Sequence, residues 1–183
     1  MRVLVACEFS GIVRDAFAAR GHDAWSCDLL PTERPGQHIQ GDVLAILGDG
    51  WDLMVAHPPC TYLTRAGARW WGRPGVRALQ DDAVAFFLGL YHAPIPCVAA
   101  ENPAGIISTR FRKPDQYIQP WEFGHPETKR TGLWLRGLPP LMATDIVTGR
   151  HPRVHYAAPG PDRWKERSRT LPGIAAAMAE QWG

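Results

Sequence analysis

What most constrains this chain is an alternation of two periodicities along its N-terminal half. Buried-strand patterns fall at 2–7, 22–27, 51–56 and 96–100, and segments of helical rhythm lie between them. In 11–20 the apolar positions are Ile12, Val13, Ala16, Phe17 and Ala19, stopped by Gly21; in 76–91 they are Leu79, Ala83, Phe86, Phe87 and Leu90. A short element is expected within 39–47, before the Gly48-Asp49-Gly50 turn. Strand alternating with helix predicts an α/β fold with a doubly wound sheet, in which ligands collect at the carboxyl ends of the strands. Beyond Ser108 the pattern loosens. A strand is expected at 131–135 and a closing helix at 172–182, while 136–169, with several prolines and glycines and little periodicity, reads as loop with at most a short hairpin.

Composition sets outer bounds. A chain of 183 residues with 45% hydrophobic content can bury one ordinary core, so a single domain over 1–183 is expected. A net charge of +2 does not by itself announce a nucleic-acid binder, although local arginine clusters can still meet phosphates. Met1 leads directly into a strand pattern with no apolar signal region, and no apolar stretch approaches the length of a membrane span. These features predict a soluble, cytoplasmic protein with no membrane partner. The cysteines Cys7, Cys27, Cys60 and Cys97 are scattered without paired metal-ligand spacing, so neither disulfides nor a metal site is expected.

Chemistry-bearing residues stand where strand patterns end. Glu8-Phe9-Ser10-Gly11 joins the first strand to the first helix, where a glycine lets backbone approach a ligand and a helix N-terminus favours an anion; the alternative is an ordinary βα turn. Asp28 follows the second strand, in a place suited to ribose hydroxyls, and Asp42 follows Gly41; either is otherwise a solvated loop carboxylate. Ala56-His57-Pro58-Pro59-Cys60-Thr61 ends an apolar run in a rigid turn. A free cysteine is usually a small buried hydrophobe, but two prolines cannot extend a central strand, so Cys60 falls where the sheet meets ligand. Neighbouring arginines are expected to favour its thiolate, the reactive form. Glu101-Asn102-Pro103 falls at the mouth of another strand, where a glutamate can protonate a ring nitrogen or orient an amino group, or simply cap a helix or form a salt bridge.

Taken together, Phe9-Ser10-Gly11, Asp28, Gly41-Asp42, Pro58-Pro59-Cys60 and Glu101-Asn102-Pro103 resemble, in order and spacing, the cytosine-5 DNA methyltransferase family, particularly its short phage-type members. The resemblance implies a class I S-adenosylmethionine-dependent methyltransferase with a Rossmann-like sheet. It implies Cys60 as the nucleophile on carbon 6 of cytosine and Glu101 on ring nitrogen 3, supported by Asn102. It assigns the cofactor S-adenosylmethionine to Phe9, Ser10, Gly11, Asp28, Asp42 and Pro58, and the base and its phosphates to Pro59, Lys129, Arg130 and Thr131. Arg130 stands with Lys129 where the family carries an Arg-x-Arg pair, and Arg14 stands near a position that is often small. The last family motif is loosely matched by 168–175, where an alanine-rich packing helix is the plainer explanation.

The basic and aromatic stretch 61–76, with Arg65, Arg69, Trp70, Trp71 and Arg73, corresponds to the family's loop over a flipped base; the tryptophans otherwise pack on the sheet edge. The loop-rich 136–169 stands where full-length members carry a target-recognition domain. The expected substrate is cytosine in DNA, duplex or single-stranded. The alternatives are a free cytosine nucleotide and a non-catalytic binding protein on the same scaffold.

Overall fold

The strands of the N-terminal half are joined by helices or extended loops rather than tight hairpins, and all pair in parallel. The computed structural model describes residues 1–154, 156 and 158–183. Its elements are β1 (Arg2–Ala6), α1 (Ile12–Ala18), β2 (Asp23–Asp28), β3 (His38–Gln40), β4 (Leu53–Ala56), α2 (Val76–Tyr91), β5 (Cys97–Pro103), α3 (Ile107–Arg110), β6 (Gln116–Ile118), β7 (Thr131–Arg136), α4 (Arg163–Ser168) and α5 (Pro172–Trp182). The sheet runs in the order β3-β2-β1-β4-β5-β7-β6, with β7 antiparallel to both neighbours. A doubly wound sheet is therefore present as expected.

Both faces of this sheet are covered, which is why its central strands read as unbroken apolar runs. Side chains alternate along each strand: Val3, Val5, Leu53, Val55 and Ala99 meet α1 and α5, while Leu4, Ala6, Met54, Ala56, Val98 and Ala100 meet α2. On the first face Val13 and Phe17 of α1 share a core with Ala175, Met178 and Ala179 of α5. On the second, Phe87 of α2 meets Trp134 of β7 edge-on at 5.2 Å.

Several boundaries depart from the sequence expectation for identifiable reasons. β4 begins at Leu53 because Trp51 turns aside, its indole N–H donating to the Ile46 carbonyl and its ring lying 4.6 Å from the Arg2 guanidinium. β5 runs past Ala100 to Pro103 because β7 continues to pair with it after β4 has stopped. β6, three residues at the sheet edge, is too short for a period to show; Gln116 holds it by exchanging side-chain hydrogen bonds with the backbone of Leu141. Within 136–169 the chain is largely irregular, as expected, but it also forms the six-residue α4. The loop expectation for 155 and 157 lies outside the described residues. Among the described residues, no helix is long and apolar enough to cross a membrane.

Candidate active site

Strand register brings two titratable side chains together. Ala6 aligns with Ala56, and Ala56 with Ala100, so the next residues, His57 and Glu101, emerge side by side on the α1/α5 face. The His57 backbone N–H extends the ladder by donating to the Ala6 carbonyl. His57 Nδ1 lies 2.7 Å from Glu101 Oε2, with both side chains largely buried. Burial opposes charge on either group, yet their hydrogen bond and mutual attraction prevail: Glu101 is pulled down to about 2, and His57 is raised above its ordinary value. Glu8 also raises His57, and Lys129 opposes that while lowering Glu101.

Cys60 begins the turn that follows. Its carbonyl accepts from Leu63 and Thr64, while Asn102 of β5 donates through Nδ2 to the Pro58 carbonyl and ties the Pro58-Pro59 segment to the strand bearing Glu101. Cys60 keeps solvent contact, but enough protein crowds its sulfur for desolvation, together with Glu101, to push the thiol up. Lys129 and Arg167 pull the other way without reversing the shift. The expectation of an arginine-stabilised thiolate is thus corrected: a cysteine beside a buried carboxylate is electrostatically disfavoured as an anion, and the strongest cationic help comes from a lysine.

The β1–α1 turn is self-contained. Glu8 is buried, and its carboxylate accepts from the backbone N–H groups of Val13 and Arg14 and from the Ser10 hydroxyl. The anion favoured at the start of α1 is therefore the protein's own. Gly11 has φ +72, and a side chain there would strike the Arg14 guanidinium at 2.5 Å; one at Gly36 would strike it at 2.6 Å. Arg14, only 1% exposed, lies between these glycines and donates to Asp15, Ser26, Thr32 and the carbonyls of Arg34 and Pro35. It fastens the 29–37 loop to α1. Phe9 is covered: its ring meets Trp164 at 5.9 Å, and its carbonyl accepts from Glu33 N–H. Asp28 and Asp42 each accept from a backbone N–H two residues on, Leu30 and Leu44 respectively.

A cleft of about 320 Å³ opens between the start of α1 and the start of α5, bounded by Ile12, Lys129, Arg153, Glu166, Arg169 and Thr170. That is the lower end of the size of small-molecule sites. Lys129, Thr170 and Leu171 also line a small cavity that reaches Glu101 and Thr131. The cleft and the His57–Glu101 pair are thus connected along one wall. The cations of this cleft suit the carboxylate of an amino acid, and Glu166 its ammonium. Arg130 is placed apart from Lys129: it is exposed and its guanidinium stacks 3.8 Å from the Tyr117 ring.

The stretch after Cys60 is stitched to the end of β5. Arg65 N–H donates to Ala104, and Ile106 N–H to Leu63. Gly105 permits this contact, since a Cβ there would sit 1.9 Å from the Leu63 carbonyl oxygen. Beyond it a 3-10 turn, Arg65–Trp70, presents exposed Arg65, Arg69 and Trp70, with Arg69 and Arg73 stacked on the Trp70 ring at 4.7 and 3.6 Å.

This strand order, with its antiparallel β7, is the fold of the class I S-adenosylmethionine-dependent methyltransferases. No protein-family model matches the chain, and no curated protein matches it. Among solved structures it is similar to the Dnmt2 methyltransferase of S. pombe, with TM-score 0.50 and 14% identity over 84% of this chain and 53% of that one. A protein described as a DNA modification methyltransferase encoded within an E. coli prophage aligns with TM-score 0.48 and 16% identity, over 87% of this chain and 55% of that one. The chain spans about half the length of these proteins. The likeness to the S. pombe protein is one of fold.

Sequence reasoning singled out Cys60, Glu101, Asn102, Lys129 and Thr131, which gather at the ends of β4, β5 and β7. It gave no role to His57 or to the Glu8 carboxylate. A charged residue on either side of a strand end was the available signal, but only the register shows that His57 faces Glu101.

Proposed function

We infer that the chain transfers a methyl group from S-adenosylmethionine to carbon 5 of cytosine in DNA, with Cys60 bonded to carbon 6 during the reaction. The observation that carries this reading is the convergence of Cys60 and Glu101 at adjacent strand ends, with Lys129 acting electrostatically on both. Carbon 5 of cytosine is too electron-poor to attack a methyl sulfonium, so a nucleophile must first add at carbon 6 and create an enamine. Cys60 is that nucleophile. Its raised thiol makes proton loss part of the barrier, and Lys129 lowers the cost. Glu101 meets ring nitrogen 3 and the exocyclic amine, where charge develops, and Asn102 holds the Pro58 turn against it. Once carbon 5 carries the methyl group, its proton passes to solvent water and Cys60 is expelled as thiolate, which restores the aromatic ring.

S-adenosylmethionine supplies an electrophilic methyl group when bound. In the cleft, Lys129 and Arg169 suit its carboxylate and Glu166 its ammonium; the family resemblance assigns its ribose to Asp28, its adenine to Asp42, its methionine end to Ser10 and Gly11, and contacts beside them to Phe9 and Pro58. Arg65, Arg69, Arg73 and Trp70 favour a polyanion carrying bases as the substrate.

The test incubates the protein with labelled S-adenosylmethionine and, separately, duplex DNA, single-stranded DNA, RNA and deoxycytidine monophosphate. Label on DNA cytosine is expected. Cys60→Ala should abolish transfer, and DNA containing 5-fluorocytosine should trap a covalent adduct, because fluorine cannot leave as a cation. An unchanged rate in Cys60→Ala would sink the covalent mechanism, and label on the mononucleotide alone would reassign the substrate.

A further inference from the structure

We propose that His57 is a positioning residue for Glu101 and holds the proton that Glu101 delivers to ring nitrogen 3 of the substrate. The inference rests on the cytosine reading above and deepens it. When the Cys60 thiolate bonds to carbon 6, the carbon 5–carbon 6 electron pair shifts through carbon 4 toward nitrogen 3, which then needs a proton. Glu101 sits in the right place but is ionised, and a carboxylate has no proton to give. The nearest acid is one hydrogen bond behind it: His57 Nδ1, 2.7 Å from Oε2.

The transfer balances. Oε2 receives the Nδ1 proton, and the carboxyl group so formed gives a proton to nitrogen 3; Glu101 ends as the carboxylate it was, His57 ends neutral, and the enamine is uncharged. When Cys60 leaves, the proton returns along the same path. Glu101 thus needs no raised affinity of its own for a proton.

The surroundings of His57 suit this use. It is held by the ladder bond from its N–H to Ala6 and by Pro58 directly after it, so the ring has little freedom to turn from Glu101. Its other nitrogen, Nε2, is buried and finds no hydrogen-bond partner among the described residues, so the imidazolium is only half satisfied and gives up a proton more readily. The charged groups facing it are Glu101 of β5 and Glu8 of the β1–α1 turn, which favour the imidazolium, and Lys129, ahead of β7, which with burial opposes it. A proton held against such opposition is retained at rest yet available once Glu101 begins to lose its negative charge to the substrate.

Two measurements test the proposal. Nitrogen NMR of the imidazole should show His57 titrating above 6.5 in the wild type, and at a lower pH in Glu101→Gln. His57→Asn keeps an N–H near Oε2 but cannot release its proton. It should fold, bind S-adenosylmethionine and DNA as the wild type does, and lose about a hundredfold in methyl-transfer rate. The wild-type rate should rise with pH as Cys60 ionises and fall as His57 loses its proton; in His57→Asn, where Glu101 must draw its proton from solvent, the falling limb should no longer follow the His57 titration. A His57 titration indifferent to Glu101→Gln overturns the proposal without recourse to any His57 variant. So does a His57→Asn protein with the wild-type rate and pH profile. A wild-type protein that methylates no cytosine, with the NMR coupling intact, overturns instead the function on which the proposal rests.

Discussion

At the scale of single residues, Glu101 and His57 are linked to pH with opposite sign. Glu101 is held at about 2 against an ordinary 4.5, so its stabilisation is complete above 4.5 and is lost as pH falls toward 2. His57 is raised above 6.5, so its stabilisation is complete below 6.5 and is lost as pH rises through its value in the fold. The pair therefore contributes most between 4.5 and 6.5. Replacing one partner of a buried ion pair typically costs about 3 kcal/mol. Urea denaturation should show Glu101→Gln less stable than the wild type by about that much in this window, with the gap narrowing on either side. A gap that stays constant across the range would show that the two groups are not charged together. The contact was not legible in the sequence. Cys60 and Glu101 announce themselves by following strand patterns, but His57 and Glu101 are 44 residues apart, and only the β4–β5 register makes them neighbours. Arg14 was visible as an oddity near a turn; its burial depends on Gly36, in a loop with no period to read.

At the scale of elements, the strands and helices that carry the site were legible because both sheet faces are buried and the pattern is strong. β6 and α4 were not, since three and six residues are too few to display a period. The junction between the Cys60 turn and β5 depends on one position that propensity alone would pass over. Gly105 brings the Leu63 carbonyl against its own backbone, and the Thr64–Gly105 bridge then fixes where the turn leaves the strand. Gly105→Ala places a methyl group inside that contact, so the turn must shift while β5, already paired with β4 and β7, need not. A displacement of about 1 Å at a reacting group costs about a hundredfold in rate. Methyl transfer should therefore fall by about that factor in Gly105→Ala, with far-ultraviolet circular dichroism unchanged and faster proteolytic cleavage within 61–75. Activity close to that of the wild type would mean that the turn is positioned by something other than this junction.

At the scale of the whole molecule, segments far apart in sequence close over the first turn. The 29–37 loop is pinned from below by Arg14 and from above by Glu33, whose carboxylate pairs in two places with Arg169. α4 lays Trp164 over Phe9. Because Glu8 already occupies the backbone N–H groups at the start of α1, a bound amino-acid carboxylate must be met by side chains of the cleft. Arg153 is paired with Glu127 and Arg169 with Glu33, which leaves Lys129, whose ammonium donates to the Arg169 carbonyl at 3.3 Å and is in no ion pair among the described residues, the best placed to respond. A ligand present at a hundred times its dissociation constant stabilises a fold by about 2.7 kcal/mol, or roughly 5–10 °C in Tm for a chain of this size. S-adenosylmethionine should raise Tm by about that much. Lys129→Met should weaken binding about tenfold and so remove about 1.4 kcal/mol of the effect at the same concentration. Glu33→Gln should barely move the Tm of the free protein, since a half-exposed ion pair contributes under about 1 kcal/mol, yet it frees the loop and should speed cofactor association. A full thermal shift in Lys129→Met would move the carboxylate elsewhere in the cleft, to Arg169 released from Glu33, and the Glu33→Gln protein would then bind the cofactor more tightly than the wild type.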